Sequence, residues 1–154
     1  MLFRDRTEAG KLLAARLDFL MGDRDLLILG LPRGGIVVAY EVAVALDAPL
    51  DVYIARKIGA PHNSELAIGA VASDGAVVLD HNLISRLGVP DTYLRAETER
   101  QKREIQRRLG AYRGRLEEPE VTGKVVVLVD DGVATGATVR ASLRALRERR
   151  PARL

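Results

Sequence analysis

The chain contains no cysteine, which excludes a disulfide framework, a thiolate nucleophile and any thiolate metal site. It lacks long apolar runs. The longest, such as Val125 to Val129, are strand-sized and far below the ~18–20 residues a membrane-spanning helix needs. The opening MLFRDRTEAG is charged almost at once and carries no apolar stretch of signal-peptide type. No internal repeat or low-complexity tract is visible. No Gly-x-x-x-x-Gly-Lys phosphate loop occurs, and no His, Asp and Glu cluster has zinc-site spacing. What remains is 154 residues, 47% hydrophobic and 29% charged, the composition of a single globular domain. A cytoplasmic protein without a membrane partner is the expectation.

Lysine is scarce as well: only Lys11, Lys57, Lys102 and Lys124 stand among 24 basic residues. The formal charge of +3 is unevenly spread. Residues 140–154 hold six arginines and one acid, Glu148, which leaves 18 basic against 20 acidic residues in the rest. A second basic stretch, Arg95 to Arg115, is interleaved with Glu97, Glu99 and Glu104, and Tyr112 is its only aromatic. This pattern reads as a solvated helix face rather than a nucleic-acid footprint.

The apolar periodicity predicts an α/β domain. Leu13, Leu17 and Leu20 mark a helix over residues 7–21, stopped by Gly22. Leu26 to Leu31 is a continuous apolar run, as in a strand buried on both faces. A helix from about Ile36 to Leu46 and an alternating strand over Leu50 to Ala55 complete a βαβ unit of a parallel sheet. Arg56 to Ser64 reads as an exposed loop. Leu66 to Ala72 and Ala76 to Asp80 read as a hairpin around Ser73-Asp74-Gly75. Asp91 can cap a long polar helix reaching Tyr112 or Arg115. Lys124 to Val129 is the most strand-like segment, and a last helix starts near Thr138.

Ligands of open parallel sheets bind beyond the carboxyl ends of the strands. There the last strand delivers Asp130 and Asp131, followed by Gly132, Val133, Ala134, Thr135, Gly136, Ala137 and Thr138. Small residues let the backbone approach an anion, the threonines add hydroxyl donors, and the next helix offers its free N–H groups. Adjacent carboxylates accept from polyol hydroxyls. A sugar phosphate suits both halves; the plain alternative is a strand-loop-helix turn with two capping aspartates.

The segment VVVLVDDGVATGAT, residues 125–138, resembles the phosphoribosyl pyrophosphate (PRPP) motif of the type I phosphoribosyltransferases. Leu31-Pro32-Arg33-Gly34-Gly35 is similar to that family's pyrophosphate loop, and Arg56-Lys57 to the basic pair that leads into its mobile loop. The whole run from FRDRTEAGKLLA to VDDGVATGAT resembles a bacterial subgroup of that family. The resemblance implies a Rossmann-like parallel sheet flanked by helices, with a hairpin insertion and its last strands missing, in a single domain over 1–154 shortened at its C-terminus. It implies that Asp130 and Asp131 hold the ribose hydroxyls and residues 132–138 the 5-phosphate. Pro32 to Gly35, Arg56, Lys57 and His62 would face the diphosphate. Glu65 reads as a loop anchor, with a place in the magnesium shell as the alternative, and His81 is given no role.

By the same resemblance, ribose 5-phosphate moves from PRPP to a nitrogenous acceptor with release of pyrophosphate. Magnesium would be bound mainly through PRPP, with Asp130 and Asp131 as candidates for a protein contact. A second copy of the chain is a candidate partner, and no specific nucleic acid is expected. A PRPP or nucleotide sensor with the same fold is the alternative, as is an inactive shortened member. A nucleotide hydrolase is disfavoured by the missing lysine phosphate loop.

Overall fold

The computed structural model describes residues 2–112, 118–134 and 136–154. In chain order its elements are helix α1 (Arg6–Arg16), strand β1 (Leu26–Gly30), helix α2 (Gly34–Leu46) and strands β2 (Leu50–Val52), β3 (Ala55–Ala60), β4 (Asn63–Ala72) and β5 (Val77–Leu79). Helices α3 (His81–Leu87) and α4 (Asp91–Tyr112), strand β6 (Val125–Val129) and helix α5 (Ala137–Glu148) follow. They fall into two compact units. One takes residues 1–53, 119–134 and 150–154, the other residues 54–118 and 135–149.

The first unit is built on a parallel sheet in the order β2-β1-β6. Central β1 is buried at every position, as its unbroken apolar run requires. Ile28 pairs with Leu50 on one side and Val127 on the other, and Gly30 is level with Val129. Ala14 of α1 and Val38, Ala39, Val42, Ala43 and Leu46 of α2 pack with Leu26, Ile28 and Val129 of the sheet. Each fully buried aliphatic side chain contributes roughly 1.5–3 kcal/mol, so the core fixes where β1 and β6 end.

Helix α1 is shorter than its leucine spacing predicts. Asp5 caps it by accepting the Glu8 N–H at 2.8 Å, and after Arg16 the chain tightens into a 3-10 turn over Asp18–Leu20. Beyond α5 the chain makes one parallel bridge, Val125 to Arg153, with Ala152 N–H donating to the Lys124 carbonyl at 2.8 Å.

The second unit is built on an antiparallel sheet in the order β3-β4-β5. This corrects the loop expected over 56–64. Residues 55–60 form a strand and only the 61–62 turn separates it from β4. His62 takes φ +63 there. The expected hairpin around Gly75 is present as β4 and β5. Helix α3, unforeseen, is capped by Asp80, whose carboxylate accepts the Leu83 N–H at 2.9 Å. Asp91 opens α4 as its first residue rather than capping it.

Helix α4 buries Leu94, Gln101, Ile105 and Leu109 along one stripe. Its Tyr93 hydroxyl donates to the Gly59 carbonyl at 2.8 Å. Helix α5 buries Ala141, Ser142, Ala145 and Leu146 and packs on β3 and β4.

Candidate active site

Because β1 and β6 are parallel neighbours, both deliver their following residues to the same sheet edge. Leu31 N–H donates to the Val129 carbonyl at 2.9 Å, which fixes the loop after β1 against the end of β6. The Pro32–Arg33 peptide is cis, and Gly34 begins α2. The glycines are required by close approach. A Cβ on Gly35 would lie 2.8 Å from the Val129 carbonyl oxygen and 2.9 Å from Asp130 Cα. A Cβ on Gly34 would collide with the Asp131 carboxylate and come within 2.6 Å of Arg6 Nε. The space the glycines leave is filled by the acidic pair itself.

Arg6, in the first turn of α1, completes this cluster. Its Nε donates to Asp131 Oδ2 at 2.7 Å, and a terminal guanidinium nitrogen stands 2.7 Å from the same oxygen. Asp131 N–H donates to Asp130 Oδ1 at 2.8 Å. The carboxyls are thereby pushed apart in acidity. Hydrogen bonding and charge from Arg6 hold Asp131 below the usual carboxylate range. Burial raises Asp130, against the lowering effect of the Asp131 N–H that its carboxylate accepts. Sequence reasoning missed Arg6. Its one signal is its place in the FRDRTEAGKLLA segment, since its partner lies 125 residues away.

After Asp131 the chain is open. Gly132, Val133 and Ala134 are exposed, and among the described residues nothing lies within 4 Å of a Cβ on Gly132. Thr135 lies outside the described residues. In the second unit, Gly136 takes φ +76, a left-handed conformation suited to glycine, immediately before α5. Its carbonyl accepts the Arg140 N–H at 2.9 Å, and the Thr138 carbonyl accepts the Ser142 hydroxyl.

Arg56 and Lys57 have different partners. Successive residues of a strand leave opposite faces. The Arg56 Nε donates to Gln101 Oε1 of α4. Lys57 instead pairs with Glu65 at 3.0 Å and lines a cavity of about 240 Å³ with Ala137, Arg140 and Arg144 of α5. Lys57 therefore stands beside the start of the helix that follows the small-residue loop, and Arg56 faces elsewhere. His62 is exposed at its turn, and His81 is the first residue of α3. Among the described residues no group of three or more His, Asp or Glu side chains is placed to hold a metal ion, and no helix is long and apolar enough to cross a membrane.

These features agree with the comparisons to known proteins. Residues 6–154 match the phosphoribosyl transferase domain, and the chain belongs to that family. Two Mycobacterium tuberculosis proteins, named "Putative phosphoribosyl transferase Rv0571c" (strain H37Rv) and "Putative phosphoribosyl transferase MT0597" (strain CDC 1551), are each 44% identical to it over 146 residues. The match takes in 95% of this chain and 33% of each relative, so the chain spans about a third of the length of those proteins. The crystal structure of TT1426 from Thermus thermophilus is similar with a TM-score of 0.85 at 46% identity, covering 98% of this chain and 71% of that one. The parallel sheet flanked by helices is the architecture expected of the type I phosphoribosyltransferases.

Proposed function

We propose that this chain is a PRPP-binding catalytic domain that transfers ribose 5-phosphate to a nitrogenous acceptor, a nucleobase or a related compound, and releases pyrophosphate. The observation that carries the reading is the packing of Gly34 and Gly35 directly against Asp130 and Asp131. An anion-binding loop and a hydroxyl-binding carboxylate pair share one sheet edge, which is the pairing a phosphorylated sugar needs.

In this reading Asp130 and Asp131 accept from the two ribose hydroxyls, and Arg6 holds Asp131 anionic and oriented for that task. Arg33 offers a guanidinium fork to the diphosphate. Residues 132–138 take the 5-phosphate, with Lys57 near the start of α5 as a further cation. Magnesium fits the donor set on offer. Two adjacent carboxylates are too few for an all-protein cage, but they suit a hard ion that arrives on the diphosphate and keeps its waters. Bound there, it would neutralise charge on the departing diphosphate.

The reaction breaks the bond from ribose C1 to the diphosphate oxygen, whose electron pair leaves with pyrophosphate. A bond from C1 to the acceptor nitrogen forms, and the acceptor N–H proton is lost. Little covalent chemistry falls to the protein, which orients the partners and stabilises the leaving charge. The test is pyrophosphate release from PRPP and magnesium across a panel of nucleobases. Release that depends on one base supports the transferase. PRPP binding without release on any base would mean a sensor.

A further inference from the structure

The arginine-rich face of α4 is not absorbed by the proposed site. It lines a cavity of about 310 Å³ with Arg56, Arg100, Gln101, Arg103, Glu104 and Arg107. Gln101 is 5% exposed and fixes the floor. Its Nε2 donates to Glu97 at 2.8 Å while its Oε1 accepts from Arg56, so the Arg56 guanidinium is held in place by a neutral amide. Burying a charge against a neutral partner is costly unless an opposite charge arrives.

Among the described residues, Glu104 and Glu97 are the carboxylates that act on Arg56, and both are shared with other guanidiniums. Glu97 is engaged by two nitrogens of Arg100, at 2.8 and 2.6 Å, and Glu104 by Arg107 and Arg108. Arg103 makes no ion pair among the described residues. Among the described residues, five guanidiniums thus stand around two carboxylates that are already committed. Desolvation, Arg108 and Arg100 lower the Arg56 pKa, and Glu104 and Glu97 offset this only in part. Arg100, Arg103 and Arg107 follow three- and four-residue spacing and share one helix face.

We propose that this cavity is a binding site for a small polyphosphate anion, bearing two or more consecutive phosphates that span Arg103, Arg107 and Arg56. Arg forks match phosphate oxygens bidentately, and a chain of phosphates engages guanidiniums that a single phosphate would leave unpaired. The absence of aromatic side chains among the lining residues argues against a stacked single-stranded nucleic acid.

The test is calorimetric titration of the full chain, at low and high salt, with inorganic tripolyphosphate in one arm and ATP in another. Arg103→Gln/Arg107→Gln, both on the exposed face of α4 and checked for fold by circular dichroism, should weaken binding about tenfold or more. Arg33→Gln, which alters only the proposed PRPP loop, should leave this binding in place. Binding of ATP alone identifies a nucleotide ligand, and equal binding of both an inorganic-type one. Absence of binding at low salt overturns the proposal. So does loss with Arg33→Gln but not with the α4 variant, or a single-stranded oligonucleotide binding more tightly than either titrant through the same arginines.

Discussion

Two glycine-bearing loops at the ends of parallel neighbours β1 and β6 are built on opposite principles. After β1, Gly34 and Gly35 are crowded: the protein's own acidic pair and strand end occupy the space their side chains would need. After β6, a Cβ on Gly132 would meet nothing within 4 Å among the described residues, and Asp131, Val133 and Ala134 beside it are exposed. The first loop is fitted to the protein; the second is exposed from Gly132 to Ala134. Composition alone makes both look like anion loops. The contrast shows that a glycine in such a loop can serve the packing of neighbouring acidic side chains as much as the approach of a ligand.

Substitutions can break that contrast in graded steps. Gly35→Ala should be the most damaging, because its Cβ meets backbone atoms of Val129 and Asp130 that have no room to step aside. A loss of about 2–3 kcal/mol is expected by urea denaturation. Gly34→Ala should cost less, about 1 kcal/mol, because the atoms in its way are the ends of the Asp131 and Arg6 side chains. Its main effect should fall on PRPP affinity, with a drop of about tenfold or more as Asp131 is displaced.

Arg6→Gln should lower stability by at most about 1 kcal/mol, since the ion pair is largely exposed. Its sharper signature is electrostatic. The stabilisation tied to Asp131 exists above the ordinary carboxylate pKa and is lost as pH falls through the depressed folded value. Asp130 acts with the opposite sign. Its raised folded value means that falling pH relieves a cost of charging it. Carboxyl titration by NMR should show Asp131 moving up towards the ordinary range in Arg6→Gln. An unmoved Asp131 would mean that Arg6 is not its controlling partner. Gly132→Ala should change stability least, by less than about 0.5 kcal/mol, because its Cβ enters open space.

The legible parts of the molecule were those with local causes. β1, α2 and β6 follow from continuous apolar runs, and the loop of small residues after β6 announces itself by composition. β3 was illegible because Gly59, Pro61 and Asn63 suggest a loop, while its pairing to β4 tolerates the irregular register around Gly59. The opposite facing of Arg56 and Lys57 follows from strand geometry once that strand is known. α3 spans only seven residues and leaves too little periodicity to read. Arg6 was hidden for a different reason: its partner Asp131 lies 125 residues away, and its place in the FRDRTEAGKLLA segment does not point to that partner.

The central claim is that Asp130 and Asp131 receive the ribose of PRPP. Asp130→Asn/Asp131→Asn keeps an oxygen at position 130 to accept the Asp131 N–H, so the fold should survive the change. Calorimetric titration of PRPP with magnesium should show binding to the parent chain and none to the folded double variant. Equal binding to both, or no binding to the parent chain, would contradict it.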